Sequence, residues 1–310
     1  MLRVTGPSVW RAQDLGDETK RHAPFSSAEM EALQAASERY TRIRRDLEMG
    51  PGFVRISGVP VDGQDEERLE SFFLAFARHV GTPVSQTTRG DRIFRVADAG
   101  LGEGDSRARG PNSRKALTFH SDRCDVIGFL CVRPSAKGGE SIVVSAGAIH
   151  NRILETRPEL LKTLYEPFYW KRHNIDTANP QPWYRMPIFA QERGAFAVTL
   201  MQVLIDRAHG MPELPDLTDE QAEALALIQT LAADPEFQLR FRQEPGEILL
   251  LNNYVTLHSR TEFTDEPGTP GRLLLRAWIS VPDSRPLPAS WAAHYGVVAA
   301  GAVRGGIRVE

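Results

Sequence analysis

"RLLLRAWIS", residues 272–280, alternates with the period of a β-strand. Successive strand residues point to opposite sides. Leu273, Leu275, Ala277 and Ile279 therefore share an all-apolar face, which should lie against helices. Arg272, Leu274, Arg276, Trp278 and Ser280 share the other. A face with two guanidinium groups cannot be dry core unless each meets an anion. It is either a solvent face or the wall of a cavity that receives an acidic ligand.

Outward from this strand, the chain reads as many short strands with helical decoration. "SSAEMEALQAASERYTRIRRDLEMG" is a helix with Ser26 and Glu29 as a capping box and Gly50 at its end. "GFVRISGV" is a strand and "DEERLESFFLAFARHVG" a second helix, ended by Gly81. "RIFRVAD", the segment holding "HSD" (120–122), "VIGFLCV" and "ESIVVS" are strand-like. "GAIHNRILE", "PELLKTLY" and "LTDEQAEALALIQTLAADP" are helical, the last capped by Thr218 with Gln221 three residues on. Strands broken by Pro and Gly fill residues 168–200, and "FQLRFRQ" and "EILLLNNYVTLHS" precede the arginine strand. No repeat or long linker divides the chain. The expectation is one domain over 1–310, with a helical N-terminal part to about 82 and a helical insert near 145–235. Residues 101–115, rich in glycine, read as a mobile loop rather than a dinucleotide fingerprint, because they do not join a strand to a helix.

The 310 residues are 41% hydrophobic and 25% charged, a globular balance, with a net charge of −3 that gives no basic field for nucleic acid or anionic membrane. Cys124 and Cys131, an odd separation apart, read as two buried free thiols. The first twenty residues lack a signal-peptide core, and no run reaches the length of a membrane span. A cytoplasmic protein with a small-molecule partner is expected, with a homo-oligomer left open.

"ALTFHSDRC" (116–124) places His120 and Asp122 two apart, on one face if this is a strand. Eight histidines and 40 acidic residues give roughly one such triplet by chance, so context must decide. The context is His258, in a strand following the Pro245-Gly246 turn and expected to be an antiparallel neighbour of the arginine strand. Two histidines and a carboxylate form the facial triad of non-haem Fe(II), which leaves positions for a chelating oxo-acid and dioxygen. An arginine deep in the barrel would pair with the far carboxylate of that acid.

"TFHSD", "KGGES", "NNYVTLHSRTEF" and "RLLLRAWI" resemble the motifs of the taurine dioxygenase-like (TauD/TfdA) family of Fe(II)- and 2-oxoglutarate-dependent oxygenases, in order across roughly 116–281; "GFVRISGVPVD" and "HVGTPVSQ" resemble its N-terminal part. The resemblance implies a double-stranded β-helix, or jelly-roll barrel. It implies iron ligation by His120, Asp122 and His258, a hydroxyl from Ser141 on 2-oxoglutarate, and Arg272 on its distal carboxylate. Arg276 falls on a second arginine that binds substrate or cosubstrate. The stretch "GTPVSQTTRGDR", including Gln86 as a candidate substrate contact, departs from the taurine enzyme, so taurine is not the expected substrate. The closing "RPLPASW…AAGAVRGGI" resembles a subgroup tied to specialised metabolism.

The implied reaction couples decarboxylation of 2-oxoglutarate by dioxygen to hydroxylation, desaturation or cyclisation at an unactivated carbon of a small, carboxylate-bearing metabolite. Asp122 argues against halogenation, since related halogenases have a small non-ligating residue there. The alternatives are a 2-oxoglutarate-independent metal enzyme on the same barrel, or a non-catalytic cupin-like binding protein. Asn252 and Asn253 read as turn residues, and His150, His173 and His209 as structural.

Overall fold

The computed structural model describes residues 1–16, 24–26, 29, 37–100, 110–172 and 180–309. Nine strands form the core: β1 (Phe53–Ile56), β2 (Thr82–Val84), β3 (Ile93–Val96), β4 (Val126–Arg133), β5 (Ser141–Ser145), β6 (Gln238–Phe241), β7 (Ile248–Asn252), β8 (Thr256–Arg260) and β9 (Leu273–Ser280). One sheet runs β1-β7-β4-β9-β2, with β3 also on β9, and the other runs β6-β5-β8. All these pairs are antiparallel. No ladder joins the sheets among the described residues, so the jelly roll is two facing sheets rather than a closed barrel.

The alternation of β9 is obeyed despite a register shift between Leu273 and Leu274. Leu273, Leu275, Ala277 and Ile279 pack with Phe73, Phe76, Ala77 and Val80 of a helix, α2 (Glu66–Val80), as the apolar face requires. The described part of the preceding helix, α1 (Ser37–Glu48), adds Tyr40, Ile43 and Leu47. Ser26 and Glu29 form the expected capping pair: the Glu29 amide donates to Ser26 Oγ at 3.2 Å and the Ser26 amide to Glu29 Oε2 at 2.9 Å. Between the sheets lie Phe53, Ile127, Val143, Leu239, Leu249, Leu251 and Trp278.

The insert covers the outer face of the smaller sheet. It contains α3 (Ala146–Thr156), α4 (Pro158–Tyr165), α5 (Gln202–His209) and α6 (Asp219–Ala233), the last with its Thr218–Gln221 capping box. It is not purely helical: two hairpins, Phe168–Lys171 with Trp183–Met186 and Phe189–Glu192 with Ala195–Val198, lie between α4 and α5. His173 and most of the glycine-rich loop lie outside the described residues.

Two strand expectations need correction. "EILLLNNYVTLHS" is two strands: Asn252 Oδ1 accepts the Tyr254 amide at 2.9 Å, an Asx turn that sends β8 into the other sheet. In consequence His258 pairs with Val143 on β5, and β8 faces β9 across the interior instead of lying beside it. The HSD segment is not a strand either. His120 makes one isolated bridge to His258, and the chain then turns.

Candidate metal and oxoacid site

His258 and Arg260 point inward from β8, opposite Val143 and Ser141 of β5. The bridge to β8 brings His120 alongside, with imidazole centroids 4.3 Å apart. Asp122 reaches the same point from the turn, its Oδ2 3.5 Å from His258 Nε2. One ligating atom from each of the three lies within 4.8 Å of the others.

His120 Nδ1 lies 2.8 Å from the Thr118 carbonyl. With Nδ1 protonated and donating there, Nε2 carries the lone pair. Burial, with His258 adding to it, pushes the His120 imidazole down to about 4, so it is neutral at ordinary pH. Burial works to raise the Asp122 carboxyl, but the His258 contact and the Arg276 charge outweigh it and hold it well below the usual range. Among the described residues, neither Asp122 Oδ2 nor His258 Nδ1, both buried, has a hydrogen-bond partner. A buried carboxylate oxygen in that position calls for a cation. Two neutral-capable imidazoles and a carboxylate fit a divalent first-row metal such as iron(II).

The turn is held by Asn253: its Oδ1 accepts the Asp122 amide at 2.9 Å and its Nδ2 donates to the Cys124 carbonyl at 3.1 Å. Asn253 therefore fixes the segment that carries Asp122 as well as making a turn. Asn252 anchors the Leu47 carbonyl instead.

Arg272 and Arg276 both face the interior. Burial, with the nearby Arg260 charge, pushes Arg272 down to about 10. Arg272 Nη1 is buried without a partner among the described residues, and its guanidinium lies over the Phe263 ring. "KGGES" makes the room: a Cβ on Gly139 (φ +68°) would come within 3.3 Å of Arg272 Nε, and one on Gly138 (φ +69°) within 2.0 Å of the Glu262 carbonyl. Ser141 lines the same end, its Oγ 3.5 Å from Gln243 Oε1. An unpaired buried guanidinium beside a hydroxyl fits one carboxylate of a dicarboxylate.

Arg276 lies closer to the triad, with Nη1 4.0 Å from Asp122 Oδ1. Its Nε donates to Gln86 Oε1 at 2.7 Å, and Gln86 Nε2 donates to the Arg276 and Arg92 carbonyls. The Gln86 amide is thus spent on orienting Arg276.

Two cations escaped the sequence reading. Arg260 is buried beside Arg272, pushed down to about 10 by burial, and its Nε and Nη1 have no partners among the described residues. Its position two residues after His258 on one strand was the available signal. Arg123 also lines the cavity, and nothing in its local pattern marks it.

The cavity, about 750 Å³, is large enough for a cosubstrate and a small substrate. Two histidines and an aspartate converging inside a jelly roll, with an unpaired arginine behind them, define a non-haem iron oxygenase of the oxoacid-dependent class. The chain belongs to the taurine catabolism dioxygenase TauD, TfdA family, whose sequence model matches residues 16–278. It is 31% identical over 268 residues to FR-33289 synthase from Streptomyces rubellomurinus (strain ATCC 31215), covering 84% of this chain and 78% of that protein. Asparagine oxygenase, solved with Fe(II), 2S,3S-3-hydroxyasparagine and succinate, superposes with a TM-score of 0.63 at 20% identity, covering 83% of this chain and 93% of that one. The non-heme iron oxygenase OrfP, solved with Fe and alpha-ketoglutaric acid, gives 0.58 at 15% identity over 84% and 94%. The protein is an Fe(II)- and 2-oxoglutarate-dependent dioxygenase by family, with iron, 2-oxoglutarate and dioxygen as its reagents. Among the described residues no helix is long and apolar enough to cross a membrane.

Proposed function

We propose that this dioxygenase hydroxylates, or desaturates or cyclises, an unactivated carbon of a small carboxylate-bearing metabolite of specialised metabolism. His120, Asp122 and His258 hold the iron. Arg272 grips the distal carboxylate of 2-oxoglutarate, and Ser141 touches the same molecule. Arg276, steered by Gln86, serves the substrate side of the metal. Bound iron(II) and 2-oxoglutarate supply dioxygen activation and the electrons released by decarboxylation to succinate. The protein keeps His120 in the ligating tautomer and keeps Asp122 ionised. The supporting observation is the meeting of three ligand atoms within 4.8 Å around an Asp122 oxygen that has no other partner.

Anaerobic addition of Fe(II) and then 2-oxoglutarate tests this reading. The wild type should develop the weak visible metal-to-ligand charge-transfer band of the chelate. Asp122→Ala and His258→Ala should not, while keeping a cooperative melt. A metal enzyme that does not use 2-oxoglutarate, or a non-catalytic binding protein, would show no band in the wild type.

A further inference from the structure

We propose that Arg123 forms a second anion-binding subsite, which holds an oxyanion of the primary substrate on the insert and C-terminal side of the cavity. The reading rests on the oxygenase assignment only for what the bound molecule is used for. Arg123 lines the cavity and follows the metal-site residue Asp122 directly, so its Cα is about 3.8 Å from that of Asp122. Its backbone is fixed. The Gly306 amide donates to its carbonyl at 2.7 Å, and the flanking Ser121 and Asp122 amides donate to the Leu200 carbonyl and Asn253 Oδ1. Its guanidinium, by contrast, has no ion pair or hydrogen bond among the described residues, and Nε is buried with no partner. The titratable groups facing it are Tyr184, Tyr295 and a second cation, Arg172, with no carboxylate among them.

The charge of the whole cavity points the same way. Among the described residues its lining carries Arg123, Arg207, Arg260, Arg272 and Arg276 against one carboxylate, Asp122. An Fe²⁺ ion and a 2-oxoglutarate dianion together add no net charge, so loading the site leaves the cationic excess in place. Arg272 takes the cosubstrate and Arg276 already faces Asp122. Arg207 lies at the exposed rim. Arg260 sits beside Arg272, which leaves Arg123, partly buried, as the cation on the insert and C-terminal side. Beside it, His294 lines the cavity with Nδ1 2.5 Å from Tyr184 Oη, giving a polar wall suited to an oxyanion. Such a group is a carboxylate or a phosphate-type ester.

The test uses the full chain, loaded anaerobically with Fe(II) and 2-oxoglutarate so that Arg272 is occupied, and titrated calorimetrically with inorganic phosphate and separately with acetate. At least one anion should bind the wild type saturably. Arg123→Leu should weaken it at least ~10-fold, and Arg123→Lys should retain most of it, with 2-oxoglutarate affinity unchanged in both. Preference for phosphate assigns a phosphate-type group, and preference for acetate a carboxylate. No saturable binding to the wild type, equal binding by Arg123→Leu, or a loss confined to 2-oxoglutarate affinity overturns the proposal. Should the Leu variant lack a cooperative melt, Arg123→Gln replaces it: loss in Gln with retention in Lys supports the subsite, and equal behaviour overturns it. If the wild type shows no charge-transfer band, the oxygenase assignment fails. Anion binding to the metal-free protein, lost in Arg123→Leu, would still support the subsite.

Discussion

Arg272 and Arg276 are one residue type on one face of one strand, yet their surroundings separate their tasks. They are four residues apart, about 13 Å along β9. Arg272 has an unpartnered buried nitrogen, whereas Arg276 is engaged by Gln86 and stands near Asp122. Arg272→Leu should therefore weaken 2-oxoglutarate at least ~10-fold, since a charge-assisted pair contributes roughly 1.5–3 kcal/mol. Arg272→Lys should recover only part, because an ammonium lacks the planar fork. Arg276→Leu should leave 2-oxoglutarate binding nearly intact. Titration of the charge-transfer band reads both, and the opposite ranking would exchange the two roles. His120 gives a second residue-scale prediction, for the metal-free protein. Its folded pKa, about 4, lies below its ordinary value of 6.5 because burial disfavours the cation. Between those values the unfolded chain binds a proton that the native state does not, so native stability must fall as pH drops from 6.5 toward 4. Denaturant melts across that window should show the slope, and His120→Gln should flatten it.

At the scale of elements, the strand β9 and the capped helices were legible because their signals are local: alternation in one case, Thr218 with Gln221 in the other. The placement of β8 was not. "LLLNNYVTLHS" contains no Gly or Pro to mark a break, and only the Asx turn at Asn252 divides it between two sheets. The convergence of His120, Asp122 and His258 was readable from the order of motifs, but the reason for their proximity was not a strand. It is a turn clamped by Asn253, a contact across 131 positions of sequence that no local pattern encodes. Asn253→Ala would remove the acceptor for the Asp122 amide and the donor to the Cys124 carbonyl at once. Iron affinity should drop by about 10–100-fold, as for other partners that orient metal ligands. The fold should survive, since β7 and β8 keep their ladders. An unchanged iron titration in Asn253→Ala would show that Asp122 is positioned by its own turn alone.

Across the whole molecule, the two sheets, the ligand turn and the C-terminal segment meet at Asp125. Its carboxylate accepts from Tyr254 Oη at 2.8 Å, from the Val281 amide at 2.8 Å, from Ser280 Oγ at 3.0 Å and from Arg304 Nε at 2.6 Å. The Arg304 and Asp125 side chains are 0% and 1% exposed. Ser280 ends β9, Tyr254 lies in the turn from β7 to β8, and Arg304 belongs to the last segment, which places His294 and Ile307 on the cavity wall. A buried pair of this kind costs most when only one partner is lost, because the other charge is left without compensation. Asp125→Ala should therefore destabilise the protein by about 3–5 kcal/mol, read as a lowered denaturation midpoint. Arg304→Leu alone should also be harmful, since it leaves the carboxylate with neutral donors only. The double variant should be less unstable than the two single losses added together, because neither charge is then stranded. Additive losses would mean that the pair is not coupled, and that the C-terminal segment is held by its other hydrogen bonds, such as the Arg304 amide to Ser280 Oγ at 3.1 Å.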